Sequence, residues 1–178
     1  MNYSTIRWTI SVLFVLLLAG GAIGADAAKE TGRDGRFIVY DNDTVRDTMT
    51  NLMWAAKDNG RALSWPDAKS FSTDYRSGGY SDWRLPTVDE LKGLYDTAAS
   101  YKTACTAALD EHSHIADEVH LTKAISLTCT RLWTSQARSG APGSVLVFDF
   151  HYGSDAARPG FQGFIDTAVR VLPVRSGK

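Results

Sequence analysis

Three of the four histidines fall within nine residues: Glu111-His112-Ser113-His114 is followed by Asp117-Glu118 and then His120. Imidazole and carboxylate together suit Zn²⁺ or a related divalent ion. The H-x-H spacing fits a strand that presents ligands, but no established motif such as H-E-x-x-H accompanies it. A solvated polar loop is the preferred account of such a motif-free cluster. His112, His114 and His120 therefore stand as candidate metal ligands only, and no cofactor is assigned.

A second group lies nearer the C-terminus. Arg138, His151, Tyr152, Arg158, Phe161 and Gln162 occupy stretches 136–143 and 151–163, which are rich in Gly and Pro and read as loops. Loops on a rigid scaffold are where recognition usually sits. Tyr152 and Phe161 offer flat apolar contact, and Arg138 and Arg158 can grip an anionic group such as sulfate or carboxylate. His151 and Gln162 add polar contacts. Tyr80 and Phe164 are further exposed-aromatic candidates, whereas Trp54, Trp65, Trp83 and Trp133 sit among apolar neighbours and read as core. Asp41, Asn42, Asp43 and Asp47 offer hard oxygens for Ca²⁺ but lack the EF-hand spacing, so they read as turn residues. Asp82 beside Trp83 resembles half of a lectin calcium site without its partner. No Ser-His-Asp order and no nucleophile elbow is present, so no catalytic residue is assigned.

The elements that position these residues begin after a leader. Arg7 precedes an apolar run from Trp8 to Ala19, followed by the small residues of Gly20–Ala25. This is the pattern of a secretory signal peptide over residues 1–27, with cleavage near Gly24 to Ala27. An uncleaved membrane anchor is the alternative, although the run is shorter than a spanning helix needs. Export to the periplasm, the medium or the cell surface follows, with membrane contact only through the leader. An oxidising compartment favours pairing Cys105 with Cys129, worth about 3 kcal/mol; buried free thiols or metal ligands are the alternatives. The formal charge of −1 lacks the basic stripe of a nucleic-acid binder.

Residues 28–35 read as a flexible lead-in and 36–175 as one domain. Short strands are expected at 36–40, 44–47 and 52–55. Ser64 caps a helix with Pro66 in its first turn, and Thr87 with Glu90 forms a capping box for a second helix fading near residues 98–101. Strands return at 132–135, 145–150, 161–165 and 168–174. Two helices between β-rich ends indicate an α+β domain.

The most specific stretch is Gly78 to Leu91, GGYSDWRLPTVDEL. Gly78-Gly79 permits positive φ, Trp83 and Leu85 are apolar anchors, and Pro86 bars Leu85 from a helix. Together with DTMTNLMW at 47–54, WPDA at 65–68, LWTS at 132–135, VFDF at 147–150 and VRVLPVR at 169–175, it resembles the C-terminal domain of the Legionella collagen-like protein family. The resemblance covers most of 36–175. It implies a C-type-lectin-like fold with two helices and short, mostly antiparallel strands, distantly related to the formylglycine-generating sulfatase modifiers. It also implies Trp83 as core and Arg84 as an internal tether. Family members are mostly exported bacterial modules, and the namesake is a surface adhesin that binds sulfated polysaccharides as a trimer. No Gly-x-y stalk occurs here, so trimerisation by that route is unavailable.

The resulting expectation is an exported, non-catalytic recognition module for a glycan or an envelope protein, capable of forming an oligomer. An enzyme related to the sulfatase modifiers is the first alternative, requiring reduced Cys105 and Cys129. A structural envelope protein without a ligand is the second.

Overall fold

A computed structural model describes residues 28–103, 105, 118–161 and 164–177. The leader, His112, His114 and Gln162 lie outside the described residues.

The N-terminal half is a meander. Strands β1 (Glu30–Asp34), β2 (Phe37–Tyr40), β3 (Thr44–Asp47) and β4 (Leu52–Ala55) pair antiparallel in sequence order. Residues with positive φ make the last two turns, Asp43 at 58° and Asn51 at 54°. Asx side chains bond their own turns: the Asp47 carboxylate accepts from the Met49 N–H and the Thr50 hydroxyl. Asp47 therefore serves its own turn, while Asp41 accepts from the Lys29 N–H and Asp43 pairs with Lys57. The lead-in differs from its expectation, because Glu30–Asp34 is a strand. Its side chains are nearly all exposed, so no apolar pattern betrays it. Backbone pairing to β2 across Gly35, at φ 56°, holds it instead.

Ser64 caps α1 (Trp65–Asp74), accepting from the Asp67 N–H with Pro66 in the first turn. The chain then enters the Gly78–Leu91 block. Gly78 (φ 67°) admits no side chain, since a Cβ there lies 2.9 Å from the Tyr80 ring. Trp83 is buried, and its indole N–H donates to the Ser77 carbonyl. Arg84 exchanges both backbone hydrogen bonds with Val174. Its guanidinium reaches outward to clamp Glu90 at 2.6 and 2.8 Å, so it tethers the helix start from the surface. Asp82 is held by Arg175, whose guanidinium also lies 3.8 Å over the Tyr80 ring. The lectin-calcium reading of Asp82 thus meets a carboxylate already engaged.

The capping box of Thr87 and Glu90 opens α2 as expected, but α2 (Val88–Lys92) is only five residues long. After Gly93 the backbone turns, and the Asp96 N–H donates to the His120 carbonyl. That long-range bond ends the helix well before residue 98. The short strands β5 (Tyr101–Lys102) and β6 (Glu118–Val119) pair antiparallel. Cys105 and Cys129 form the disulfide, with Cα atoms 4.6 Å apart.

A second sheet contains β7 (Arg131–Ala137), β8 (Ser144–Asp149), β9 (Ser154–Pro159) and β10 (Val169–Arg170), ordered β10-β7-β8-β9. Only the β10–β7 pair is parallel here. The final strand β11 (Val174–Ser176) crosses back to β4, completing the first sheet. Pro173 separates β10 from β11, which read in sequence as one strand, because the chain changes sheets there. Phe161, Phe164 and Ile165 are not in a strand; β9 (154–159) takes that place, ahead of the stretch 161–165 that the apolar pattern suggests. Its sequence, SDAARP, carries too little apolar alternation to declare it.

Among the described residues the architecture is α+β, with mostly antiparallel strands and two α-helices. Trp54, Leu91, Phe148 and Phe150 lie in the larger core, while Trp133 and Val169 centre a smaller one under α1. Trp54, Trp83 and Trp133 are buried, and Trp65 is half-buried against the smaller core.

Candidate functional site

Antiparallel pairing of β7, β8 and β9 distributes the late-loop candidates between two ends of one sheet. Arg131 opposes Asp149 and Phe148 opposes Asp155 at one end, whereas Ala137 opposes Val145 and Ser144 opposes Pro159 at the other. His151 and Tyr152 occupy the β8–β9 turn at the first end. Arg138 and Phe161 occupy the second, where the Gly160 N–H donates to Gly143. Six residues of β8 separate the ends, roughly 20 Å. Arg158 lies on β9, its guanidinium 2.8 Å from Asp166 and hydrogen-bonded to the Ala157 carbonyl. Its charge is thus already neutralised within the fold. Phe161 is 60% exposed and its ring neighbours Phe164, which packs on the smaller core.

The first end is built more firmly. The Asp149 carboxylate accepts from the His151 N–H and from Arg131, and the Gly153 N–H closes the turn onto the Asp149 carbonyl. Gly153 has φ 66°, and an added Cβ would lie 2.5 Å from the Tyr95 ring. Only glycine lets Tyr95 approach so closely. Tyr95 contacts His120 edge-on at 5.7 Å, His120 lies 6.2 Å from His151, and His151 meets Tyr152 edge-on at 4.6 Å. Four rings from three segments make one continuous run. Tyr152, at its outer end, is 66% exposed. Lys92 and Asp155 form an ion pair 3.5 Å apart.

Tyr95 also walls a cleft of about 350 Å³ between the β1–β2 turn and the segment after α2, with Asp34, Arg36, Phe37, Leu94 and Asp96 around it. Arg36 is spent internally: it pairs with Asp47, covers the Phe37 ring and donates to the Gly93 carbonyl. Asp34 accepts from the Thr122 hydroxyl and the Lys123 N–H. The two exposed carboxylates, Asp34 and Asp96, give the cleft hydrogen-bond acceptors above an apolar floor.

A separate network braces the segment between the cleft and the disulfide. Tyr101 donates to the Ile125 carbonyl and accepts from the Leu127 N–H, and burial pushes its phenol up to about 12. Asp58 holds the Thr128 N–H and hydroxyl; burial raises its carboxyl despite those bonds. Arg170 donates to the same Thr128 hydroxyl, and burial lowers its own value.

Among the described residues, no three His, Cys, Asp or Glu converge to hold a metal ion. His120, one of the three candidate ligands, belongs to the ring run, while His112 and His114 lie outside the described residues. Sequence reasoning placed His151 and Tyr152 correctly in a turn but did not associate Tyr95, Asp34 or Asp96 with them. Tyr95 reads as the apolar side of a helix, and nothing local reveals its contact with Gly153. The unexplained Gly in a turn that also carries two aromatic rings is the one available signal.

The model of the family described as Lcl C-terminal domain matches residues 43–175. No curated protein matches the sequence.

Proposed function

Because the chain belongs to the Lcl C-terminal domain family, we propose that it is an exported bacterial recognition module of C-type-lectin-like fold, binding a glycan or protein ligand in the periplasm or at the cell surface. The observation that carries this reading is Tyr152, a large aromatic ring two-thirds exposed on a turn fixed by Asp149 and Gly153. Exposed aromatic rings on rigid turns supply contact area at little entropic cost. The adjoining cleft has a volume within the range of small-ligand sites, and its carboxylates suit hydroxyl or amide donors. Arg138 and Phe161 at the opposite end offer a second, less braced surface.

The test is a glycan array with the mature protein beside a general hydrolase and oxidase screen. Specific binding without turnover is the expected result. Turnover with no glycan or protein bound would contradict it. The enzyme reading keeps one observation in its favour, since the fold brings Cys105 and Cys129 together. It requires activity from the reduced pair, and the same screen run with and without a reductant decides it.

A further inference from the structure

Two rings inside the aromatic run carry more than stacking. The geometry points to His120 and His151 as a two-nitrogen site for a divalent transition-metal ion of the Ni²⁺ and Cu²⁺ class. The Nδ1 atom of His151 lies 3.1 Å from the Glu118 carbonyl oxygen. A carbonyl can only accept, so Nδ1 carries the proton and Nε2 of the neutral ring keeps its lone pair. This is how a ligating histidine is ordinarily oriented from behind. His120 supplies the second nitrogen: its Nδ1 is buried and has no hydrogen-bond partner among the described residues. Buried polar atoms are almost always satisfied, and an ion shared with the neighbouring imidazole would satisfy this one.

The spacing agrees. With metal–nitrogen bonds of ~2.0–2.1 Å, two imidazoles sharing one ion have centroids at most roughly 6.4 Å apart. The observed separation is 6.2 Å. At that separation an ion fits only with the two nitrogens nearly opposite one another, at roughly 150°, which suits the tetragonal geometry of Cu²⁺ or Ni²⁺ and not the tetrahedral angle of Zn²⁺. Tyr95 packs edge-on against His120, and Tyr152 edge-on against His151. Among the described residues no third His, Cys, Asp or Glu converges on the pair. The site differs from the His112–His114–His120 grouping in using His151, which lies far along the chain. It stands whether or not the face binds a glycan.

Copper(II) titration of the purified protein, followed by electron paramagnetic resonance, tests it. The expected result is one equivalent bound with the hyperfine pattern of two imidazole nitrogens. Calorimetry should find both Ni²⁺ and Zn²⁺ weaker than Cu²⁺. His151→Ala and His120→Ala should each weaken binding at least about tenfold, while the His112→Ala/His114→Ala double variant binds as wild type. His151 is only half-buried, so His151→Ala carries the test should His120→Ala fail to fold. Absence of stoichiometric binding, wild-type affinity in folded His151→Ala, or loss of binding in the His112/His114 double variant would each overturn the assignment.

Discussion

Individual residues in the Gly78–Leu91 block and the β8–β9 turn do sharply different work. Trp83 is buried with its indole satisfied by Ser77, and Tyr75 and Tyr80 meet its ring edge-on. Trp83→Ala should therefore cost about 3–5 kcal/mol and leave little soluble protein, as measured by urea unfolding. A stable variant with selectively lost binding would make Trp83 a surface contact instead. Gly153→Ala should cost about 1–3 kcal/mol, because it adds positive-φ strain to a steric conflict with Tyr95. The same substitution should disturb the Tyr95–His120 contact, visible as shifted imidazole resonances in NMR spectra. Unshifted resonances and unchanged stability would show that the turn tolerates a side chain.

Elements owe their positions to a mixture of local and distant causes, and this decides what the sequence reveals. The α1 cap, the Thr87–Glu90 box and strands β3 and β4 are legible because their signals lie within a few residues of each other. β1 is held by backbone pairing under exposed side chains, α2 is cut short by a bond to His120, and β9 lacks apolar alternation. The bond that ends α2 is distant, and β1 and β9 carry no apolar pattern of their own, so none of the three is legible. The site follows the same division: the turn at Tyr152 is readable, its union with Tyr95 and the cleft is not.

The capping box also sets an acid response. Burial works to raise the Glu90 carboxyl, but Arg84 and the Thr87 N–H outweigh it and hold it below the usual carboxylate range. A lowered folded value means its contribution is present above the unfolded value, near pH 4, and is lost as pH falls through the folded one. Asp82 behaves alike through its hydrogen bond with Arg175. Asp58 has the opposite sign: raised by burial, its contribution weakens as pH rises through its folded value. Glu90→Gln should flatten the decline of stability below about pH 4, followed by urea unfolding across pH. An unchanged slope would remove Glu90 from the acid response. Reducing the Cys105–Cys129 bond, whose cysteines are 24 residues apart, should cost about 2–4 kcal/mol without changing the far-ultraviolet spectrum of the folded state. No loss would mean the closed loop constrains little.

At the scale of the whole molecule, two sheets and a short helix converge on one end that carries the ring run and the cleft. The other end carries Arg138 and Phe161 on a hairpin. The account assigns recognition to the first end, and the most direct measurement compares Tyr152→Ala with the Arg138→Ala/Phe161→Ala double variant. Each is assayed for affinity toward whichever glycan or protein the array identifies, beside its melting temperature. Tyr152 is exposed and contacts only the half-buried His151 ring among the aromatics, so its loss should leave the melting temperature nearly unchanged. The account predicts that Tyr152→Ala weakens binding at least about tenfold, in line with the loss of a central aromatic contact, while the double variant binds as wild type. Wild-type affinity in Tyr152→Ala together with lost binding in the double variant would place recognition at the opposite end and contradict the account.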